Sequence, residues 1–309
     1  MLKTLFFGAL VLGLPLSGIL QAEQIDFTVP EPQTAGCVLG VELVPPAGEQ
    51  FTAEQEQEML RGVAERVRLL LPGDAEPRLV RKGEQVFLHL YGEFAPESAA
   101  KTAARLQHSL NRRVQTCLLA VHPQQEKLFQ RAEIVSLIAR YELDINVWLE
   151  SARHTPPPRL PHLPDTGDTA GYMLAEQAGV DDRGIIGYNY YIVRAPESAR
   201  SEGLLLTNED VETVSISAPN LTQKQDSVRI RLNAEAAPRL HRLTLTPARN
   251  KGKIALVSDG SVLAAPTIPA PLSREFILTA ANGRDMVYAL LPPLPGEVRL
   301  KAIPAQGSR

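Results

Sequence analysis

The sequence predicts an α+β protein of two domains, and three observations carry that prediction. From Cys37 to His122 the chain alternates β-prone and helix-forming runs in the order βαββαβ. A second, shorter alternation begins near Gly203, and between the two lies "HTPPPRLPHLPDTGDTAG", too rich in proline to continue a helix. With 309 residues, 44% of them hydrophobic, the chain is long enough to bury two cores.

The chain opens on "MLKTLFFGALVLGLPLSGILQAEQ": one early lysine, an apolar run from Leu5 to Leu16, and a polar step after Ala22. That pattern predicts a secretory signal over residues 1–22 and export to the periplasm; a retained anchor is the alternative reading. No cysteine stands near the expected cleavage point, so a lipoprotein is not expected. No later segment approaches the roughly 18 uninterrupted apolar residues of a membrane span.

In the first group, "CVLGVELV" reads as a strand. In "FTAEQEQEMLRGVAERVRLLLPG", Met59, Val63, Val67 and Leu70 recur at helical spacing, and Thr52 sits where an N-cap belongs. Then come two β-prone runs in "EPRLVRKGEQVFLHLYG" turning at Lys82-Gly83, a helix in "PESAAKTAARLQHSL" with Pro96 at its start, and a strand in "VQTCLLAVH". This order is the split βαβ, or ferredoxin-like, arrangement: an antiparallel sheet with both helices on one face. It defines a base domain over residues 36–122. The only cysteines, Cys37 and Cys117, fall in its first and last strands, which are neighbours in that arrangement. An even count in an exported chain suits one disulfide, and two separate small buried hydrophobes fit as well. So widely spaced a pair lacks the close ligands of a zinc site.

Residues 123–202 read as a helix followed by the proline-rich linker. In "QEKLFQRAEIVSLIARYELDINVWL", Leu128, Ala132, Val135 and Ile138 fall on one side. The stretch "YNYYIVRAP" is β-like. The second domain, expected over residues 203–303, begins indistinctly at "GLLLTNEDVETVSIS" and then sharpens. "SVRIRLN" alternates as a strand, "AEAAPRLHRLTLTP" is a helix with Pro238 early, "REFILTAAN" is a strand, a short helix covers Met286 to Leu291, and "GEVRLKAI" closes the chain's regular structure. Between the helix and "REFILTAAN" lies "KGKIALVSDGSVLAAPTIP", two apolar runs hinged on Asp259-Gly260. A two-residue primed turn needs positive φ at both central positions, which Asp-Gly tolerates at low cost. Pro266 and Pro269 then stop ladder donation, so the returning strand is expected at a sheet edge, where an extended peptide can add by strand pairing. Ile254, Leu256, Asp259, Gly260, Val262, Ala265 and Pro266 are the candidate binding residues.

The net charge of −3 and interspersed charges offer no basic face to nucleic acid. The six histidines show no i, i+4 pair; the one loose cluster, His154, His162, Asp165 and Asp168, lies in the proline-rich linker without second-shell partners. His241 beside Arg239 and Arg242 reads as a solvated face. There is no Gly-x-Ser-x-Gly elbow, no Ser-x-x-Lys and no glycine fingerprint for phosphate. Asp74 and Glu76 suit turn geometry, and Asp181 and Asp182, adjacent in sequence, do not converge on one substrate face. No enzymatic activity, cofactor or metal is expected.

The run "SVRIRLNAEAAPRLHRLTLTPARNKGKIALVSDGSVLAAPTI" resembles the head region of the first periplasmic domain of the SecD family, the accessory subunit of the Sec preprotein translocase. Leu243-Thr244, Gly252 to Val257, Asp259-Gly260, Val262 and Ala265-Pro266 match the family's pattern "LT" and "GKxIAIVLDGxVxSAPxI". Upstream, Arg66-Val67, Glu76-Pro77, Gly83 and Gly92 match the family's base region. The resemblance covers about residues 50 to 280. It implies a ferredoxin-like base, an α+β head of SecD periplasmic type, and a role in protein transport. SecD continues into a transmembrane bundle that, with SecF, couples proton flow to preprotein movement; no such segment follows here, so the proton-coupled motor is not implied. The segment after the hairpin, "ILTAANGRDMVYALLPPLPGE", is shorter than the family's long helix, and the proline-rich connection departs from the family as well. The expectation is an exported, non-enzymatic protein that binds unfolded or exported polypeptides or an envelope partner, in association with the Sec translocon. The alternatives are an envelope assembly scaffold that keeps the fold without the export role, and an envelope hydrolase with a metal site in the linker.

Overall fold

The computed structural model describes residues 37–71, 76–91, 99–151, 158–180, 186–217, 226–280 and 282–303. The expected signal, Asp74, Gly92, Pro96, His154 and Asp181-Asp182 lie outside them. The first group of elements is β1 (Cys37–Val44), α1 (Ala53–Leu70), β2 (Glu76–Lys82), β3 (Gln85–Tyr91), α2 (Ala99–Asn111) and β4 (Thr116–Ala120). There follow α3 (Gln125–Leu128), α4 (Ala132–Glu150), β5 (Tyr172–Val180), β6 (Ile186–Arg194), α5 (Pro196–Ser201), β7 (Leu206–Thr207) and β8 (Val211–Ser217). The chain continues through β9 (Asp226–Leu232), α6 (Ala237–Arg249), β10 (Ile254–Ser258), β11 (Ser261–Ala264), β12 (Glu275–Ala280), α7 (Gly283–Leu290) and β13 (Glu297–Ala302). The α+β class holds, with the described strands in three sheets.

The first sheet has the order β13-β1-β3-β2 and is antiparallel throughout. Thr52 starts α1 through a capping box: its Oγ1 accepts from the Gln55 amide at 3.2 Å, and Gln55 Oε1 accepts from the Thr52 amide at 2.9 Å. Gly83, at φ +62°, turns β2 into β3. Met59, Leu60, Val63 and Val67 of α1 and Ala103, Leu106 and Leu110 of α2 pack on Leu39, Leu88, Leu90, Val298 and Leu300 of the sheet.

The position beside β1 belongs to β13 and not to the strand at 114–122, which corrects the expected composition of the base. Burial patterns supply the reason. β13 alternates exposed and buried residues, as suits a sheet covered on one face, whereas four of the five residues of β4 are buried. An apolar run of that kind belongs in the middle of a sheet packed on both faces. α2 covers the outer edge of β13: Asn111 Nδ2 donates to Val298 O at 2.8 Å, Asn111 Oδ1 accepts from Val298 N at 2.7 Å, and Gln107 Oε1 accepts from Leu300 N at 2.8 Å. The expected Cys37–Cys117 disulfide is corrected with the strand. Cys37 pairs with Leu90 in the first sheet, Cys117 lies in a different sheet opposite Val257 and Thr207, and both thiols are free.

The second sheet has the order β6-β5-β11-β10-β4-β7. All its pairings are antiparallel except that of β11 with β5, which is parallel and consists of Ser261 opposite Glu176. Residues 123–202, expected as helix and linker, carry α3, α4, the β5–β6 hairpin and α5, and the hairpin extends the same sheet that holds β10 and β11. The helical stretch breaks at residues 129–131 into α3 and α4, which rotates the buried side. Of the expected stripe, Leu128 is buried and Ile138 packs half-buried on the same core, while Ala132 and Val135 are exposed and Ile134, Tyr141 and Ile145 take the inward positions. Tyr141 Oη donates to Glu176 Oε2 at 3.0 Å, so α4 leans on the hairpin through a polar contact as well as an apolar one.

The third sheet, β12-β9-β8, is antiparallel. Its inner face, with Val228, Ile230, Leu232, Phe276 and Leu278, shares the largest core with Leu240 and Leu243 of α6, Ile254 and Leu256 of β10, and Met286, Val287 and Leu290 of α7. Buried Thr116 of β4 donates to Ala289 O at 2.7 Å, and Asn208 Nδ2 donates to Leu291 O at 3.2 Å. These bonds tie α7 and the approach to β13 to β4 and to the turn that follows β7.

Candidate polypeptide-binding edge

The Asp259-Gly260 turn forms as the sequence predicts, with φ of 48° and 86° at its two central residues. Asp259 Oδ2 accepts from Arg112 Nη2 at 2.8 Å, and the Gly260 carbonyl accepts from the Glu176 amide at 3.2 Å. The other candidate residues are mostly interior: Ile254, Leu256 and Val262 are buried, and Ala265 and Pro266 are half-buried. The hairpin is flanked on both sides, by β4 along β10 and by β5 at the start of β11. Pro266 does not end the pairing either, because its carbonyl accepts from Ile254 N at 3.3 Å and Ile268 N donates to Gly252 O at 2.9 Å. The hairpin is therefore paired along β10, and on the β11 side it meets β5 at the single pair Ser261 and Glu176.

The linker residues are engaged in holding their own loop. Asp165 Oδ1 accepts from Gly171 N at 2.9 Å, Asp168 pairs with Arg131 at 2.5 Å, and His162 is exposed. Among the described residues no group of three or more histidine, cysteine, aspartate or glutamate side chains is placed to hold a metal. His122, which the sequence reading passed over, is buried against Tyr172 with ring centroids 4.5 Å apart, and its Nδ1 accepts from Gln124 N at 3.1 Å. Burial holds its pKa below the ordinary value, opposed by Asp168.

An open edge does exist, in the third sheet. Leu232 N donates to Arg274 O at 3.0 Å, so Arg274, Phe276 and Leu278 aim their backbone polar groups at β9. The intervening Glu275, Ile277 and Thr279 aim theirs away, where β12 ends its sheet. Ser273 Oγ reaches the Glu275 carbonyl at 3.1 Å; among the described residues no strand pairs with that side of β12. Ile277 is 55% exposed on the sheet's outer face. Around it Arg229 pairs with Glu275 at 3.2 Å across β9 and β12, Arg231 pairs with Glu212 at 3.4 Å, and Arg274 also reaches Glu212. Such solvated pairs contribute little to stability, but they discourage indiscriminate edge-to-edge association. The sequence signal was the unbroken apolar run Phe276-Ile277-Leu278 in a strand, which puts one large aliphatic residue on the face opposite the other two.

Among the described residues the chain is thus a mixed α/β protein whose strands form three sheets, with the β13 edge of the first covered by α2 and an open edge on β12 of the third. No protein-family model matches it, and no curated protein matches it. Two solved structures are similar in part. One, described as "Structure and function of a membrane component SecDF that enhances protein export", is matched over 88% of this chain and 99% of its own at 15% identity and a TM-score of 0.33. The other, "Crystal structure of SecDF in Super-membrane-facing form", is matched over 85% of this chain and 29% of its own at 13% identity and a TM-score of 0.36. At these scores the likeness fixes neither topology nor function. Among the described residues no helix is long and apolar enough to cross a membrane.

Proposed function

We propose that this chain is an exported, non-enzymatic module of the SecD periplasmic type that binds extended polypeptide by strand addition to β12. The reading is supported by the order of SecD-like motifs along the sequence. It is supported too by the β13-β1-β3-β2 sheet with α1 and α2, which we read as a ferredoxin-like base completed by β13, the last described strand. The observation that carries it is the unpaired side of β12, whose Ile277 and Thr279 backbone groups and exposed Ile277 side chain offer a ladder and an apolar contact together.

The test replaces Thr279 by proline. Its N–H faces away from β9, so Thr279→Pro removes a donor for an incoming strand while sparing the β9 ladder. Binding of a reduced, unfolded model polypeptide is expected to weaken at least about tenfold, with the unfolding midpoint nearly unchanged; tenfold corresponds to roughly 1.4 kcal/mol. Unaltered binding in a folded Thr279→Pro variant, or no binding by the parent chain, refutes the reading. A scaffold role is the second reading, favoured by the exposed Val135, Leu143 and Val147 on the outer side of α4. Crosslinking in cells separates the two: many transient polypeptide adducts support strand addition, and one stable adduct through α4 supports the scaffold.

A further inference from the structure

A cleft of about 330 Å³ lies between α6, the end of β4, the start of β5, the end of β6 and α5, away from the β12 edge. α6 supplies one wall as two adjacent lines of side chains. Leu243 and Pro247 form an apolar line; Arg242, Thr246 and Asn250, each four residues from the next, form a polar line along the rim. Ala120, Val121 and Leu204 add apolar surface opposite.

The charges in the cleft do not cancel. Arg194 is already engaged: it pairs with Glu202 through Nη2, donates from Nη1 to Ala170 O at 3.2 Å, and lies 4.9 Å over the Tyr172 ring. That pairing neutralises Glu202. Arg242 donates through Nη2 to Gly203 O at 3.1 Å, and among the described residues its remaining N–H groups, the Thr246 hydroxyl and the Asn250 side-chain amide have no protein partner. The rim therefore presents one uncompensated guanidinium and two neutral donors beside an apolar wall. A single planar cation with forked donors matches a carboxylate, whereas a doubly charged phosphate calls for more positive charge than is present. A volume at the low end of small-molecule sites limits the remainder of the ligand to a short apolar body.

We propose that this cleft binds a carboxylate carried on a short apolar group, with Arg242 holding the carboxylate, Thr246 and Asn250 donating beside it, and Leu243 contacting the apolar part. The same chemistry is offered by a free aliphatic acid and by the C-terminus of a polypeptide ending in an aliphatic residue. The site is independent of the proposed strand addition, and Thr279→Pro is expected to leave it unchanged.

The test is calorimetric titration of the mature chain with three probes: hexanoate, a short peptide ending in a free leucine carboxylate, and the same peptide amidated. The proposal expects at least one acid probe to bind and the amide to bind tenfold or more weakly. Tighter binding of the peptide acid identifies a polypeptide C-terminus as the source, and tighter binding of hexanoate identifies a free acid. Arg242→Gln, at an exposed position on α6, is expected to weaken the acid about tenfold or more and to leave the amide unchanged. Thr246→Trp, which fills the cleft from the rim, abolishes binding without lowering the unfolding midpoint. Equal binding of acid and amide, an unaffected Arg242→Gln variant, or no binding of either acid overturns the proposal.

Discussion

Asp259 and Gly260 show how far single residues can be read. Their positive φ values follow from the turn the residue pair demands, and Thr52 caps α1 for an equally local reason. Their binding role could not be read in this way, because whether Leu256 or Val262 is interior depends on strands β4 and β5, remote in sequence. Cys117 is a second case. Burial pushes its thiol from the ordinary 9.0 up to about 11, with Arg200 opposing and Glu197 adding. A thiol whose folded pKa is raised stabilises the fold below the unfolded value and loses that contribution as pH climbs through the folded one. The Cys117 contribution to stability is expected to fall by on the order of 2–3 kcal/mol between about pH 9 and 11, and Cys37, Tyr191 and Tyr288, also raised by burial, add to the total loss at high pH. Urea unfolding of the parent and of Cys117→Val across that window isolates the thiol. The loss should be smaller in the variant, and identical slopes would show that the cysteine does not contribute.

At the scale of elements, α4 shows what periodicity leaves unresolved. Leu128, Ala132, Val135 and Ile138 share a side only if one helix runs unbroken from 125, and the break at 129–131 turns the inner stripe to Ile134, Tyr141 and Ile145. Neighbouring residues therefore should behave oppositely. Ile134 is fully buried and Val135 is 49% exposed. Ile134→Ala is expected to cost about 2–4 kcal/mol and Val135→Ala no more than about 0.5 kcal/mol in chemical denaturation. Comparable losses at both positions would mean that α4 is placed differently or covered on its outer side. The strands repeat the lesson in reverse. The continuous apolar run of β4 and the alternation of β13 were both visible in the sequence, and they distinguish a doubly covered strand from a singly covered one.

For the whole molecule, the decisive feature is that the first sheet is finished by β13, the last of the described strands. About 180 residues of other structure separate α2 from β13, so closing the sheet carries the loop-closure entropy of that interval. Arg66, buried in α1, donates to the Pro292 carbonyl, and Arg284 Nη1 donates to Leu71 O at 3.2 Å, so the returning segment is held to α1 before it pairs with β1. Removing residues 297–303 is expected to strip hydrogen-exchange protection from β1 and α1 while β9 and β12 keep theirs. Undiminished protection in β1 would show that the first sheet stands without β13.

The sequence by itself determined the α+β class, most of the strands and helices, the Asp-Gly turn, the Thr52 cap, and the absence from view of any familiar catalytic motif, because these depend on neighbours within a turn or two. It did not reveal the β5 strand or the break before α4. Tertiary structure alone decided that β13 replaces β4 beside β1, that Cys37 and Cys117 lie apart, that β5 meets the hairpin at Ser261, and that β12 has an open side. Those outcomes rest on which distant strand buries its apolar face best. Hydrogen-bonding strands carry no label for their partner, so the choice is made only when the competing cores are assembled.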